Sequence, residues 1–210
     1  MKKLRFLLAI CISTLPFNFM RVFLYKKIFK YQIDKAKIGF GTIIDIESCL
    51  LENVSIGNFN MFTGPFSLVI KSESSVGSGN IFRCGKWVAD SASTTVKFKH
   101  SLHIGSKVTI TNKHYFDLAG LIEIGDGSWI AGYASQFWTH GGDTLDNDVI
   151  IGANCYIGSA VRFSPGAQLE GNTLVGMGSV VTKKFKQQNV MIVGVPATVK
   201  KENFYWQKDL

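Results

Sequence analysis

From Ile151 to Lys183 the chain repeats every six residues: IGANCY, IGSAVR, FSPGAQ, LEGNTL, VGMGSV, VTK. Ile151, Ile157, Phe163, Leu169, Val175 and Val181 open successive units. A strand alternates with period two and a helix with period 3.6, so a strict period of six fits neither alone. It fits a coil with three short flat sides, each turned by one hexad. The aliphatic residue at the first position and the small one at the fifth (Cys155, Val161, Ala167, Thr173, Ser179) then point inward and stack on the coils above and below. Only neighbouring coils touch in such a rod, so it grows as a one-dimensional stack and needs a cap at each end.

The period extends upstream. Ile38, Ile44, Leu50, Ile56, Phe62 and Leu68 are six apart, Val76, Phe82 and Val88 resume two residues out of phase, and Phe98, Ile104, Ile110, Phe116 and Ile122 restore the spacing. A further two-residue slip puts Ile124, Ile130 and Gln136 in phase. Between these runs, Lys71 to Gly79 and the small polar residues of Ala89 to Thr95 predict irregular corners. At Thr139 to Val149, THGGDTLDNDV, the hexads stop, and two glycines and three aspartates predict a loop leaving the rod. Loops on a rigid scaffold are where function concentrates. The division predicted is a helical segment over 1–37, the rod over 38–192 with its loop at 139–149, and a cap over 193–210 whose aromatics (ENFYW) pack back on the rod.

The net charge of +8 suits anionic partners, but it is split between the two ends. No basic stripe with interleaved aromatics runs along the chain, which excludes a nucleic-acid groove as the working hypothesis. Four isolated cysteines (Cys11, Cys49, Cys84, Cys155) offer neither a CxxC pair nor metal spacing, and fit a reducing, cytoplasmic setting. Residues 1–16 begin like a signal peptide, yet no small-x-small site follows and the apolar run is short for a membrane span. In Phe17 to Tyr31, Met20, Leu24, Ile28 and Tyr31 fall on one helical face and Lys26, Lys27 and Lys30 roughly opposite. Two readings stay open there: a cap over the open end of the rod, and a cap that also lies peripherally on an anionic membrane through residues 1–31.

IGDGSWIAG at Ile124 to Gly132, IGANCYIGSAVRFSPGA at Ile151 to Ala167, VGMGSVVTK at Val175 to Lys183 and GVPATVKK at Gly194 to Lys201 resemble the hexapeptide-repeat acyltransferases, which include galactoside, maltose and colanic-acid O-acetyltransferases. The resemblance implies an all-β, left-handed parallel β-helix, a homotrimer, and acetyl-coenzyme A as acyl donor in the groove between neighbouring subunits. It implies His140, in THGG, as general base. Chemistry agrees: a sugar hydroxyl is a poor nucleophile, and an imidazole titrating near ~6.5 can take its proton as it attacks a thioester. For the donor it implies Ser159 at the thioester end, Met177, where the family usually has Ala, beside the pantetheine arm, Thr182 and Lys183 at the nucleotide end, and Lys201 near the phosphates. Candidates for the acceptor sugar are Asp117, Trp138 and the loop acids Asp143 and Asp146, since sugar hydroxyls bind carboxylates and their apolar faces stack on aromatics; an aspartate could equally orient the second nitrogen of His140. Trp87 and Trp129 read as packing residues, and His100, His103 and His114 as structural or surface ones.

The sequence thus predicts an acetyl-coenzyme A dependent O-acetyltransferase acting on a sugar of a surface polysaccharide or its lipid-linked precursor, with no metal. N-acetylation of an amino sugar is the alternative within the enzyme class, because the same base and donor serve either nucleophile. A zinc hydratase of the γ-carbonic-anhydrase kind shares the rod but needs three converging histidines, and its HxxxxH spacing is missing. A non-catalytic rod that binds glycan or membrane is the alternative outside enzymes.

Overall fold

The computed structural model describes residues 2–90, 98–141 and 146–207. From residue 91 onward, the corner predicted at Ala89 to Thr95 lies outside them. The chain forms a parallel β-helix of about seven turns, of the left-handed hexapeptide-repeat class, behind two N-terminal helices. Three ladders of parallel strands make its faces. The first runs from Lys37–Ile38 through Ser55–Ile56, Ser75–Val76, Thr109–Asn112, Trp129–Tyr133, Tyr156–Ile157 and Thr173–Val175 to Val190–Gly194. The second links Ile43, Met61, Ile81, Tyr115, Gln136, Arg162 and Val180 in register. The third links Leu50, Val69, His103, Glu123, Ile150, Gln168 and Lys184.

The inward side of each face explains the six-residue rule. On the second face, Phe62, Phe82, Phe116, Phe137 and Phe163 stack ring on ring, with centroids 4.3, 4.5, 4.5 and 5.0 Å apart. Each is fully buried, a contribution of about 1.5–3 kcal/mol per ring. The fifth-position residues Cys155, Val161, Ala167, Thr173 and Ser179 are buried as their spacing predicts. Earlier coils fill the corner between the first and second faces with polar side chains. Asn80 Nδ2 donates to Asn60 Oδ1 and to the Thr111 carbonyl, His114 N–H donates to Asn80 Oδ1, and Ser135 N–H donates to His114 Nδ1. These bonds satisfy corner backbone groups that strand pairing leaves over.

Four predicted hexad positions differ in the structure: Val88 and Phe98 lie between the strands Ile81–Arg83 and Ser101–Ile104 rather than on a rod strand, and the phases at Leu50 and Gln136 are shifted. Leu50 points outward while Cys49 and Leu51 are buried, because a bulge between Ile46 and Ser48 shifts the strand Ile43–Glu52 by one residue. Likewise Phe137, not Gln136, enters the core, after an irregular pairing between Ile130 and Tyr133.

Helix α1 (Lys2–Ser13) and helix α2 (Asn18–Ile28) close the first coil. The strand edge there has no neighbour beyond Gln32–Asp34, so side chains supply its bonds. The Tyr25 hydroxyl accepts from Ile44 N–H and donates to the Thr42 carbonyl; the Tyr31 hydroxyl accepts from Ile46 N–H and donates to its carbonyl. Arg5 reaches Tyr31 and the Ile46 carbonyl, and buried Arg21 donates through Nε to the Ile38 carbonyl. These duties turn α2 by about one residue from the predicted face: Arg21, Tyr25 and Phe29 go inward, and Ile28 stays exposed. At the other end Val190–Gly194 pairs with antiparallel Ala197–Lys201, and Trp206 packs on Tyr156 while donating to the Asn154 carbonyl.

Candidate active site

Two excursions, described over 84–90 with 98–100 and over 138–141 with 146–148, both lie at the corner between the second and third faces. They lie on either side of one coil, whose tight turn at 118–120 runs between them. The two are tied across it. Lys99 of the first pairs with Asp148 of the second, whose other oxygen accepts from Leu121 N–H. Downstream, Asp146 pairs with Lys184 at 2.5 Å.

His140 stands at the root of the second excursion. Its Nδ1 is 2.6 Å from Asp117 Oδ2, and Asp117 is 4% exposed. The same oxygen accepts from Thr139 N–H at 3.1 Å. The Thr139 hydroxyl lies 2.7 Å from the Asp117 carbonyl and accepts from Gly120 N–H. Asp117 follows inward-facing Phe116 in the strand Tyr115–Asp117, so the Phe ladder itself sets its height on the rod. A carboxylate so held fixes the imidazole in one tautomer, with N–H at Nδ1 and the lone pair at Nε2. Asp117, for which the sequence left open acceptor binding or an aspartate's orientation of His140, is buried beneath His140 with its Oδ2 engaged by Thr139 and His140. Trp138 is half-buried against Tyr115, centroids 5.0 Å apart, and donates to Gln136 Oε1. Asp143 lies outside the described residues.

Trp87, which the sequence suggested as a packing residue, stands beside His140. It opens the short helix α3 (Trp87–Asp90) on the first excursion, and its ring meets His140 edge-on with centroids 5.2 Å apart. Nothing in the six-residue period points to it, because the excursion is out of phase with the rod. Below it, buried Cys84 has its thiol pushed up to about 12, first by burial and then by Asp117 and Glu47. A protonated thiol there is no nucleophile at neutral pH. His100, where the excursion rejoins the rod, faces Glu47 at 3.7 Å; His103 points outward on the third face, and His114 belongs to the corner ladder.

The remaining predicted residues fall in three places. Ser159 and 79%-exposed Met177 are stacked one coil apart at the corner between the first and second faces. Gly158 and Ala160 N–H groups are bound by the Val175 and Tyr133 carbonyls, leaving the intervening Ser159 N–H without a backbone partner among the described residues. Thr182 and Lys183 lie on the His140 corner, two coils on. Lys183 lines a shallow pocket of about 310 Å³ with Lys184, Phe185, Lys186, Gln187, Thr198 and Val199. Lys201 ends the closing hairpin, its ammonium over the Phe204 ring. No group of three metal-binding side chains occurs among the described residues.

The fold matches a polysialic acid O-acetyltransferase, OatWY, with a TM-score of 0.58 and 24% identity over 86% of this chain and 88% of that one. It also matches a hexapeptide-repeat-containing acetyltransferase of Vibrio cholerae O1 biovar eltor, solved with acetyl-coenzyme A, with a TM-score of 0.53 and 16% identity over 96% and 86% of the two chains. This is the hexapeptide-repeat acyltransferase fold. In sequence, 61 residues are 39% identical to galactoside O-acetyltransferase of Escherichia coli K12, 29% of this chain and 30% of that one. The chain spans about 30% of the length of the curated relatives it matches. No protein-family profile matches it.

Proposed function

We propose that the protein transfers an acetyl group from acetyl-coenzyme A to a hydroxyl of a sugar or glycan, in a surface polysaccharide or its lipid-linked precursor, with His140 as general base. The 2.6 Å contact between His140 Nδ1 and buried Asp117 carries this reading. It leaves Nε2 as the proton acceptor at a 38%-exposed side chain. His140 Nε2 takes the hydroxyl proton as the oxygen attacks the thioester carbonyl. Asp117 stabilises the imidazolium so formed, and the proton then passes to the departing thiolate.

The chain has features that fit the donor. Ser159 N–H can donate to a developing oxyanion, and the lysine-lined pocket at Lys183 suits phosphates. These groups sit on two different corners of one chain, with the whole second face between them. A homotrimer that sets the His140 corner of one subunit beside the Ser159 corner of the next would complete the site.

A membrane surface is the second part of the reading. Leu4, Leu7, Phe17, Phe19 and Phe23 are exposed on the helical cap beside Lys26, Lys27 and Lys30. No helix of the described residues is long and apolar enough to cross a bilayer. The arrangement fits an interfacial contact with anionic lipid, at the cytoplasmic face where lipid-linked sugars are built.

The test is a mass-spectrometric screen of nucleotide-linked, lipid-linked and polymeric sugars with acetyl-coenzyme A. One added acetyl group, removed by mild alkali as an ester is, supports the reading. An alkali-stable product would move it to N-acetylation, and no acetylated product would reject it.

A further inference from the structure

We propose that Trp87 is the acceptor platform of this site: its exposed indole face takes the apolar face of a sugar ring and brings one hydroxyl to His140. The proposal rests on the reading of the protein as a sugar acetyltransferase.

Trp87 is held without being covered. Its ring meets Phe98 edge-on with centroids 5.3 Å apart and an interplanar angle of 87°, and meets His140 at 5.2 Å and 64°. Even so, Trp87 remains 45% exposed. A tryptophan that serves only packing hides most of its large surface, whereas this one is fixed by two rings and leaves the rest of its indole to solvent beside the base. Gly85 makes the placement possible. A Cβ there would come within 2.3 Å of the indole nitrogen, so any larger residue would push the ring away.

The described residues on both sides of the site make contacts of their own. Val88 is buried, and Lys99 is paired with Asp148 on the opposite excursion. The indole is thus held against Phe98 and His140, and a wall placed in advance lowers the cost of ordering a bound sugar. A pyranose ring has one face lined by C–H groups and an edge of hydroxyls. With that face on Trp87, its edge hydroxyls point towards the neighbouring imidazole. Asp117 fixes the imidazole at Nδ1, so the base is held by a group other than the platform beside it.

The experiment uses the full-length chain on an array of immobilised glycans, comparing wild type with Trp87→Ala and Trp87→Phe, each first shown to melt as the wild type does. The proposal expects glycan retention to fall about 10-fold or more in Trp87→Ala, equivalent to about 1.4 kcal/mol, and to be largely restored in Trp87→Phe. With an acceptor found by the acetylation screen, Trp87→Ala should raise acceptor KM about 10-fold while kcat and the midpoint of the pH–rate profile stay put. Equal retention by wild type and Trp87→Ala, or no retained glycan at all, overturns the proposal. A fall in kcat with unchanged acceptor KM also overturns it, reducing Trp87 to a support for His140. Trp87-dependent glycan retention without any acetyl transfer would instead defeat the acetyltransferase reading and leave the platform standing.

Discussion

His114 shows how a single residue of this rod is fixed by the neighbouring coil. Its Nδ1 accepts from Ser135 N–H at 3.0 Å, so the ring is neutral with its proton on Nε2, facing the Thr111 hydroxyl at 3.0 Å. Burial lowers its pKa from 6.5 to about 4. Between those values the unfolded chain binds a proton that the folded chain does not. The stability from this site is therefore complete above about pH 6.5 and is lost as pH falls towards 4, on the order of 3 kcal/mol. Urea unfolding at pH 7 and pH 4.5 should show that loss in the wild type and much less of it in His114→Asn, whose amide resembles Asn80 one coil below. An equal pH dependence in both would contradict the assignment. Asp117 is the contrasting case at the opposite corner: a buried carboxylate whose partners, Thr139 and His140, come from the loop it positions.

At the scale of elements, the strands are short and alike, and the excursions carry the candidate site. The hexads of Ile151 to Lys183 could be read residue by residue, since each first and fifth position is buried where the spacing puts it. The phases at Leu50 and Gln136 could not, because a one-residue bulge leaves no mark in composition and only the pairing with the next coil reveals it. The same limit applies to the site. His140 was singled out by the resemblance of THGG to the acyltransferase pattern, at the point where the hexads stop. Asp117 was legible only as a polar residue with two possible duties, since its distance from His140 depends on the register between Tyr115 and Gln136. Trp87 was read as packing and Lys99 drew no reading, because the six-spacing carried through Val88 and Phe98 does not hold between Phe82 and Leu102.

At the scale of the whole molecule, the two ends are capped in different ways. The C-terminal end folds an antiparallel hairpin over its last coil and lays Trp206 on the rod. The N-terminal end is sealed by polar groups turned inward, chiefly Arg5, Arg21, Tyr25 and Tyr31, and so leaves apolar side chains outside. That inversion is costly in water unless something covers the outer surface. If anionic lipid does, the combined Leu4→Ser, Phe19→Ser, Phe23→Ser variant should lose binding to phosphatidylserine-containing vesicles while keeping its fold, since none of the three is buried. Equal sedimentation of variant and wild type with vesicles would end the membrane reading.

These scales meet at His140, where a coil-by-coil ladder sets Asp117, Asp117 sets the imidazole, and two excursions enclose it. The most direct test is the turnover of His140→Ala with acetyl-coenzyme A and the acceptor from the screen, with the oligomeric state checked by sedimentation. The account predicts a loss of about 10²-fold or more in kcat with the assembly unchanged, the scale of general-base catalysis. Turnover near that of the wild type would contradict it.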